Sequence, residues 1–143
     1  MKKLFVILVL IFSSLYLFSL ELYTKALYLY GGENHDVCLG CITSSKYDEE
    51  SIWNEHGEYG NCNCLNSIWN EFSCYGDSFD DCSPWNDFAL TPPVIMDRFG
   101  NSYGYFTINE NIENRADFEL VHLIYENHYS IRQDVEVWYD KIF

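Results

Sequence analysis

The chain has 143 residues, which suits one domain and is short for two. It contains 8 Lys and Arg against 22 Asp and Glu, a formal net charge of −14, and such a surface repels the phosphate backbone of nucleic acids. Hydrophobic residues make up 48% and aromatic residues 18%, a composition that excludes disorder throughout. The chain is therefore expected to be a small acidic globular domain that binds no nucleic acid.

The first segment is predicted to be an export signal. Lys2 and Lys3 precede an apolar run at residues 4–20, which is the layout of a secretory signal peptide. We place the signal at residues 1–26 with a cut near Ala26, although the exact cleavage position stays open. We therefore expect a secreted or periplasmic protein. The run is short for a spanning helix, which needs about 20 apolar residues, so a membrane anchor at residues 4–20 is the alternative.

The middle of the chain, residues 51–91, is built from a repeat of sixteen residues. Ser51-Ile-Trp-Asn-Glu recurs from Ser67 and, as Ser-Pro-Trp-Asn-Asp, from Ser83. A unit this short cannot bury its own aromatic rings, so neighbouring units are predicted to stack and share a core. The serine that opens each unit is suited to accept a backbone hydrogen bond as an N-cap, and the asparagine three residues later to close a turn.

Each repeat supplies one tryptophan, at positions 53, 69 and 85. We predict that Trp53, Trp69 and Trp85 form the core, because large rings bury much apolar area and the array has few other apolar residues. The alternative is an exposed binding face on which sugar rings stack.

Several motifs of this region occur together. They are Cys38-Leu39-Gly40-Cys41, the Ser-Ile-Trp-Asn units, Pro84-Trp85-Asn86, Pro92-Pro93-Val94-Ile95 and Gly104-Tyr105-Phe106. In this combination the chain resembles a group of uncharacterised exported bacterial proteins. The resemblance implies no assigned activity. Units in that group tend to read Tyr-Gly-Ser-Lys-Tyr-Ser-Ser, whereas this chain has Cys62 and Asn63 at the Lys and Tyr positions of one unit and Ser78 and Phe79 in the next.

Six cysteines are present, and an even number in a small exported domain predicts disulfide bonds. They are Cys38, Cys41, Cys62, Cys64, Cys74 and Cys82. The first two lie in an N-terminal segment, residues 27–50, and spacing does not fix the pairing. One alternative is a zinc site of Cys38, Cys41, Cys62 and Cys64, since zinc takes four thiolates tetrahedrally. Another is a redox Cys-x-x-Cys, although no βαβ pattern surrounds it.

An acidic stretch at Asp77, Asp80 and Asp81 offers oxygen ligands of the kind that calcium prefers. Its spacing is not that of an EF-hand, and a solvated acidic loop is the favoured interpretation.

After the repeats, residues 92–109 are predicted to form a β-hairpin. The strands are placed at 94–97 and 103–108, with a turn at 98–101 that contains glycine and asparagine.

The last part of the chain, residues 110–143, is predicted to form two helices. Apolar residues recur at helical spacing over 115–128 and again from Ile131, and Ser130 is predicted to be the N-cap of the second helix. Alternation of valines at 135 and 137 leaves a strand open there. The predicted fold class is α+β: one small domain of stacked short aromatic repeats, a β-hairpin and two C-terminal helices.

No catalytic residues can be named from the sequence, which contains no Gly-x-Ser-x-Gly, His-Glu-x-x-His or phosphate-loop motif. The four histidines are His35, His56, His122 and His128. We expect a non-enzymatic structural or binding domain of the bacterial envelope or extracellular space, without a cofactor and with an unknown partner there. The alternative function is a small secreted hydrolase.

Overall fold

The structure is a computed structural model that describes residues 6–7, 9–17 and 25–143. Residues 6–7 and 9–17 are helical, and the other positions up to 24 in the predicted signal lie outside the described residues. Within the described ranges, no helix combines the length and apolar character needed to cross a bilayer.

One antiparallel sheet of four strands follows. The strands are β1 (Leu27–Gly31), β2 (Val37–Cys41), β3 (Val94–Asp97) and β4 (Ser102–Tyr105), in the order β2-β1-β3-β4. The predicted hairpin at 92–109 is thus confirmed as β3 and β4, although the second strand is shorter than expected. The strands β1 and β2 were not predicted.

The two faces of the sheet differ, because side chains alternate along each strand. Leu27, Leu29 and Ile95 are fully buried on the face that packs on the repeats. The opposite face, called here the outer face, carries Tyr30 and Val94, which are paired in register across β1 and β3.

The repeats form a solenoid made of consecutive β-turns. From Ser51 the backbone N–H of each corner residue donates to the carbonyl of the previous corner, first at Asn54 and then at Gly57, Asn61, Cys64 and Ser67. The steps are three, three, four, three and three residues long, so one coil takes sixteen residues. The same order repeats from Ser67 to Ser83, which explains the repeat length.

The corner side chains stabilise these turns. Ser67 Oγ accepts the Trp69 N–H at 3.2 Å, and Asn70 Oδ1 accepts the Phe72 N–H at 3.0 Å. Asn70 Nδ2 also donates to the Cys64 carbonyl at 3.0 Å, across the coil. The predicted turn role of the asparagines is therefore confirmed. The serines accept the backbone bond that was expected of them, but they cap β-turns instead of helices.

The three tryptophans stack inside the solenoid. Trp53 and Trp69 are fully buried and Trp85 is 2% exposed, with ring centroids 6.0 and 5.5 Å apart along the column. Each indole N–H donates to a backbone carbonyl one coil back, at Ile42 (2.8 Å), Ile52 (2.7 Å) and Ile68 (2.6 Å). The core interpretation is confirmed, and the exposed sugar-stacking face is wrong for these rings.

The solenoid ends where the series of carbonyls that accept indole N–H groups, here called the ladder, accepts a backbone N–H instead. The carbonyl of Pro84, which follows Ile52 and Ile68 in the ladder, accepts the backbone N–H of Ile108 at 2.8 Å. Phe106 packs edge-on against Trp85 with centroids 5.6 Å apart. The chain after β4 thus closes the end of the column.

Two helices complete the core. They are α1 (Glu119–Gln133) and α2 (Val135–Ile142). Asp134 caps α2 by accepting the Val137 N–H at 3.1 Å, so the predicted cap at Ser130 is wrong: that residue lies within α1. The helix α1 starts later than residue 115 because Arg115 forms a β-bridge with Tyr105. The open strand at Val135 and Val137 is also wrong, and the α+β fold class is confirmed.

Candidate functional site

A groove of about 760 Å³ lies over the outer face of the sheet, at the β3 and β4 side. Val94 and Met96 of β3 line it, and β4 contributes Ser102 to Tyr105. The turn between β1 and β2 supplies Asn34 and His35, and the segment after β4 supplies Asn114 and Arg115. Three separate parts of the chain therefore meet around one cavity.

The segment with Asn114 is fixed beside β4 by backbone hydrogen bonds. The Tyr105 N–H donates to the Asn114 carbonyl at 2.9 Å, and the Ala116 N–H donates to the Tyr105 carbonyl at 2.8 Å. Gly104 makes this approach possible, since its φ is +102° and a Cβ there would collide with the Asn114 carbonyl. The groove is therefore preformed.

Two groove residues have a strained backbone. His35 has φ of 52° and Asn114 has φ of 59°, and they are the non-glycine residues with positive φ among those the structure describes. The left-handed region is unfavourable for residues with a Cβ, although Asn and His enter it more often than most. Such strain concentrates at binding and catalytic sites, where the surrounding structure holds it in place.

The groove also contains an aromatic pair and a cation beside it, since Tyr105 and Arg115 are partners in a β-bridge. The ring centroids of His35 and Tyr105 are 5.7 Å apart. Arg115 donates from Nε to the Thr107 carbonyl at 2.7 Å, and its guanidinium lies 4.6 Å from the centroid of the Tyr125 ring. A guanidinium has five N–H donors in a rigid fork, so this anchoring leaves donors that can serve a ligand.

A second cluster, around Tyr28 of β1, has its hydrogen-bonding groups paired with one another. Tyr28 Oη donates to Glu50 Oε2 at 2.6 Å and accepts from Arg98 Nη2 at 2.5 Å, and Arg98 also pairs with Glu50 at 3.2 Å. Burial and then the hydrogen bond to Glu50 raise the pKa of Tyr28 to about 12. The phenol stays protonated at neutral pH, so this cluster ties β1 to the loops on either side and offers no base.

The turn between β3 and β4 is organised by one carboxylate. Asp97 accepts the N–H groups of Phe99 (2.9 Å) and Asn101 (3.0 Å), and its other oxygen accepts from Asn101 Nδ2 at 2.8 Å. These bonds, led by the one from the Asn101 side chain, lower the pKa of Asp97 to about 2. Asp97 is therefore a turn-closing acceptor.

Among the described residues, no histidine is hydrogen-bonded to a cysteine or a serine side chain. His128 is buried in the core, where its ring stacks on Trp85 with centroids 4.7 Å apart and Nδ1 contacts the Tyr125 carbonyl at 2.7 Å. His122 contacts Asp117 at 2.5 Å, and His56 lies 3.4 Å from Glu55, both on the surface. These contacts give the hydrolase alternative no support.

All six cysteines are free thiols in the structure. The predicted disulfide set is not formed in this arrangement, and it stays a prediction of the export hypothesis. Burial, and then the neighbouring Cys38 side chain, raise the pKa of Tyr59 to about 12, and burial raises the pKa of Cys74 above its ordinary value. Across the described part of the chain, no three His, Cys, Asp or Glu side chains converge as metal ligands. The four cysteines of the zinc alternative are therefore not brought together.

The acidic stretch at residues 77–81 is part of the solenoid. Asp77 accepts the Phe79 N–H at 2.9 Å, and Asp80 accepts the Cys82 N–H at 2.9 Å. These carboxylates close turns, as serine and asparagine do at other corners, which agrees with the favoured interpretation as a solvated acidic loop.

Reasoning from the sequence did not assign the groove residues to a site, because its candidates were the cysteines, the repeat tryptophans and the acidic stretch. One signal was available: Arg115 is the single Lys or Arg between Arg98 and Arg132. The approach of the β1–β2 turn to this arginine could not be read from the chain.

Comparison with protein-family models, with curated proteins and with solved structures gives no match.

Proposed function

We propose that the chain is an exported, non-enzymatic binding domain of the bacterial envelope or extracellular space, and that the groove over β3 and β4 binds a saccharide. The observation that carries the proposal is the convergence in one cavity of both strained residues, His35 and Asn114, with an aromatic ring and a cation. Energy stored in backbone strain persists where function requires that geometry.

The lining has the chemistry that sugars need. Sugar rings offer apolar C–H faces that stack on aromatic side chains, and their hydroxyls bond to amide and hydroxyl groups. Tyr105 supplies the ring, and Asn34, Ser102 and Asn114 supply hydrogen-bonding groups at the rim. Val94 and Met96 add an apolar patch to a lining that is otherwise mostly polar, as a ligand rich in hydroxyl groups requires.

None of the described groups with a shifted pKa lines the groove. Tyr28 is held in its cluster with Glu50 and Arg98, Asp97 closes the β3–β4 turn, and Tyr125 and His128 are buried in the core. A hydrolase would be expected to direct such groups into its cavity. This arrangement supports binding over the alternative of a small secreted hydrolase.

The test is saturation-transfer NMR with a panel of chito-oligosaccharides and oligogalacturonates. We expect transfer to at least one sugar and a loss of affinity of roughly tenfold for Tyr105→Ala. Tyr129→Ala is the matched control, because Tyr129 is 65% exposed on α1 and does not line the groove. Absence of transfer to every sugar, or equal transfer in Tyr105→Ala, would contradict the proposal, and release of shorter sugars during the experiment would favour the hydrolase.

A further inference from the structure

We infer that the groove selects a carboxylated saccharide and that Arg115 is the residue that binds its carboxylate. This inference rests on the proposed saccharide-binding function and adds the ligand class and the residue that determines specificity.

The lining of the groove is an exception in this acidic chain. The sequence has 22 Asp and Glu, yet none of the described carboxylates lines the groove, which carries Arg115 and His35 instead. Three other cavities among residues 25–143 each include at least one acid: Asp48, Asp97, and a group at Glu49, Glu50 and Glu58. Acids are thus absent where an anionic ligand would meet them at contact distance.

Three other cations of the chain are paired with acids, whereas Arg115 is not paired with any acid that the structure describes. Arg98 pairs with Glu50 at 3.2 Å, Arg132 lies 3.7 Å from Glu71, and Lys46 lies 2.7 Å from Asp140.

Arg115, in contrast, is held by two neutral groups, the Thr107 carbonyl and the Tyr125 ring. No ion pair to it is found in the described part of the chain. Its orientation is therefore fixed without neutralisation of its charge, and a planar fork of this kind binds a carboxylate through two parallel hydrogen bonds.

The position of Tyr105 beside Arg115 suits a ligand that has both a sugar ring and a carboxylate. Tyr105 is joined by backbone hydrogen bonds to the residues on either side of Arg115, at Asn114 and Ala116. A sugar ring placed against Tyr105 would bring a ring carboxylate towards the guanidinium. Such a ligand uses both the ring and the cation, whereas a neutral sugar uses only the ring.

The experiment compares trigalacturonate with the same trisaccharide after reduction of its carboxyls to hydroxymethyl groups, by calorimetric titration of the full chain. We expect the acidic form to bind roughly tenfold more tightly. In Arg115→Gln this preference should disappear while the reduced trisaccharide binds as before, which also shows that the variant is folded. Arg115→Lys should keep part of the preference, since the charge remains without the fork. Arg98→Gln, outside the groove, should keep all of it.

The outcomes separate the inference from the proposed function. Equal affinity of the unaltered protein for both trisaccharides, or an unchanged preference in Arg115→Gln, would overturn the carboxylate assignment and leave saccharide binding intact. Binding of neither trisaccharide would overturn the carboxylate assignment, and it would overturn saccharide binding as well if the chito-oligosaccharides also show no transfer. Binding of an acetylated tripeptide with a free C-terminal carboxylate, in place of the sugars, would overturn both in favour of peptide recognition.

Discussion

Trp69 is the central ring of the tryptophan column, and its replacement by phenylalanine tests how much that column stabilises the fold. The ring is fully buried and lies between Trp53 and Trp85, with its indole N–H bonded to the Ile52 carbonyl at 2.7 Å. Trp69→Phe removes the donor and part of the ring, while an aromatic side chain remains in the stack.

The expected loss has two parts. An unsatisfied buried carbonyl costs roughly 1–3 kcal/mol, and the space left by the smaller ring adds about 1 kcal/mol. The total is roughly 2–4 kcal/mol, which is less than the 5–15 kcal/mol that a domain of ordinary stability has. Trp69→Phe should therefore fold, with a clearly lower free energy of unfolding.

Urea unfolding followed by far-UV circular dichroism measures this loss. With a slope of about 2 kcal/mol per molar urea, the midpoint should fall by roughly 1–2 M. Phe72→Leu is the control. The Phe72 ring is 89% exposed in the turn after Asn70, so this substitution should shift the midpoint little. If both variants unfold at the same midpoint as the unaltered protein, the tryptophan column is not what holds the coils together.

Three further predictions concern the backbone, the pH dependence and the thiols. A Cβ on Gly76 would collide with the backbone carbonyl of Asn70, so Gly76→Ala should lower the thermal midpoint strongly. Gly100 has open space around it, so the control Gly100→Ala should cost only the strain of its positive φ. Equal changes of the thermal midpoint in calorimetry would contradict the tight turn at Gly76. Burial lowers the pKa of His128, so the unfolded chain binds a proton that the folded core excludes. Stability should be full above about pH 6.5 and fall below it, and His128→Gln should flatten the thermal midpoint between pH 7 and 5; an unchanged slope would refute this. Under the export hypothesis, intact mass of protein from its exporting host should show loss of residues up to about Ala26 and thiols protected until reduction; an uncut chain with free thiols would contradict it.

The stacking of the repeats could be predicted from the sequence, while the path of the chain within a repeat could not. Similar pentapeptides at fixed spacing are expected to occupy equivalent environments. The array has few other apolar residues, so Trp53, Trp69 and Trp85 were expected to form its core. The sequence also indicates the three-residue step, because Ser, Asn or Asp stands at successive corners such as Ser67 and Asn70. Such residues close turns and cap helices alike, so the pattern alone did not decide between them.

The sheet and the groove depended on contacts between distant parts of the chain. The segment 27–31 pairs with β3, which follows the whole solenoid in the sequence, and local propensity does not predict a pairing between such distant segments. His35 and Arg115 reach the same groove from distant parts of the chain, which local propensity does not show either. Site residues positioned by long-range pairing were therefore missed, whereas core residues set by local repetition were identified.

The proposed binding site is tested most directly by an amide NMR map recorded during titration with trigalacturonate. We expect the shifted resonances to belong to residues 34–35, 102–105 and 114–115, around the groove. The exposed corner rings at Phe72 and Phe88, on the solenoid, should not shift. Shifts centred on those corner rings, or no shifts at a saturating concentration of sugar, would contradict the assignment of the groove as the binding site.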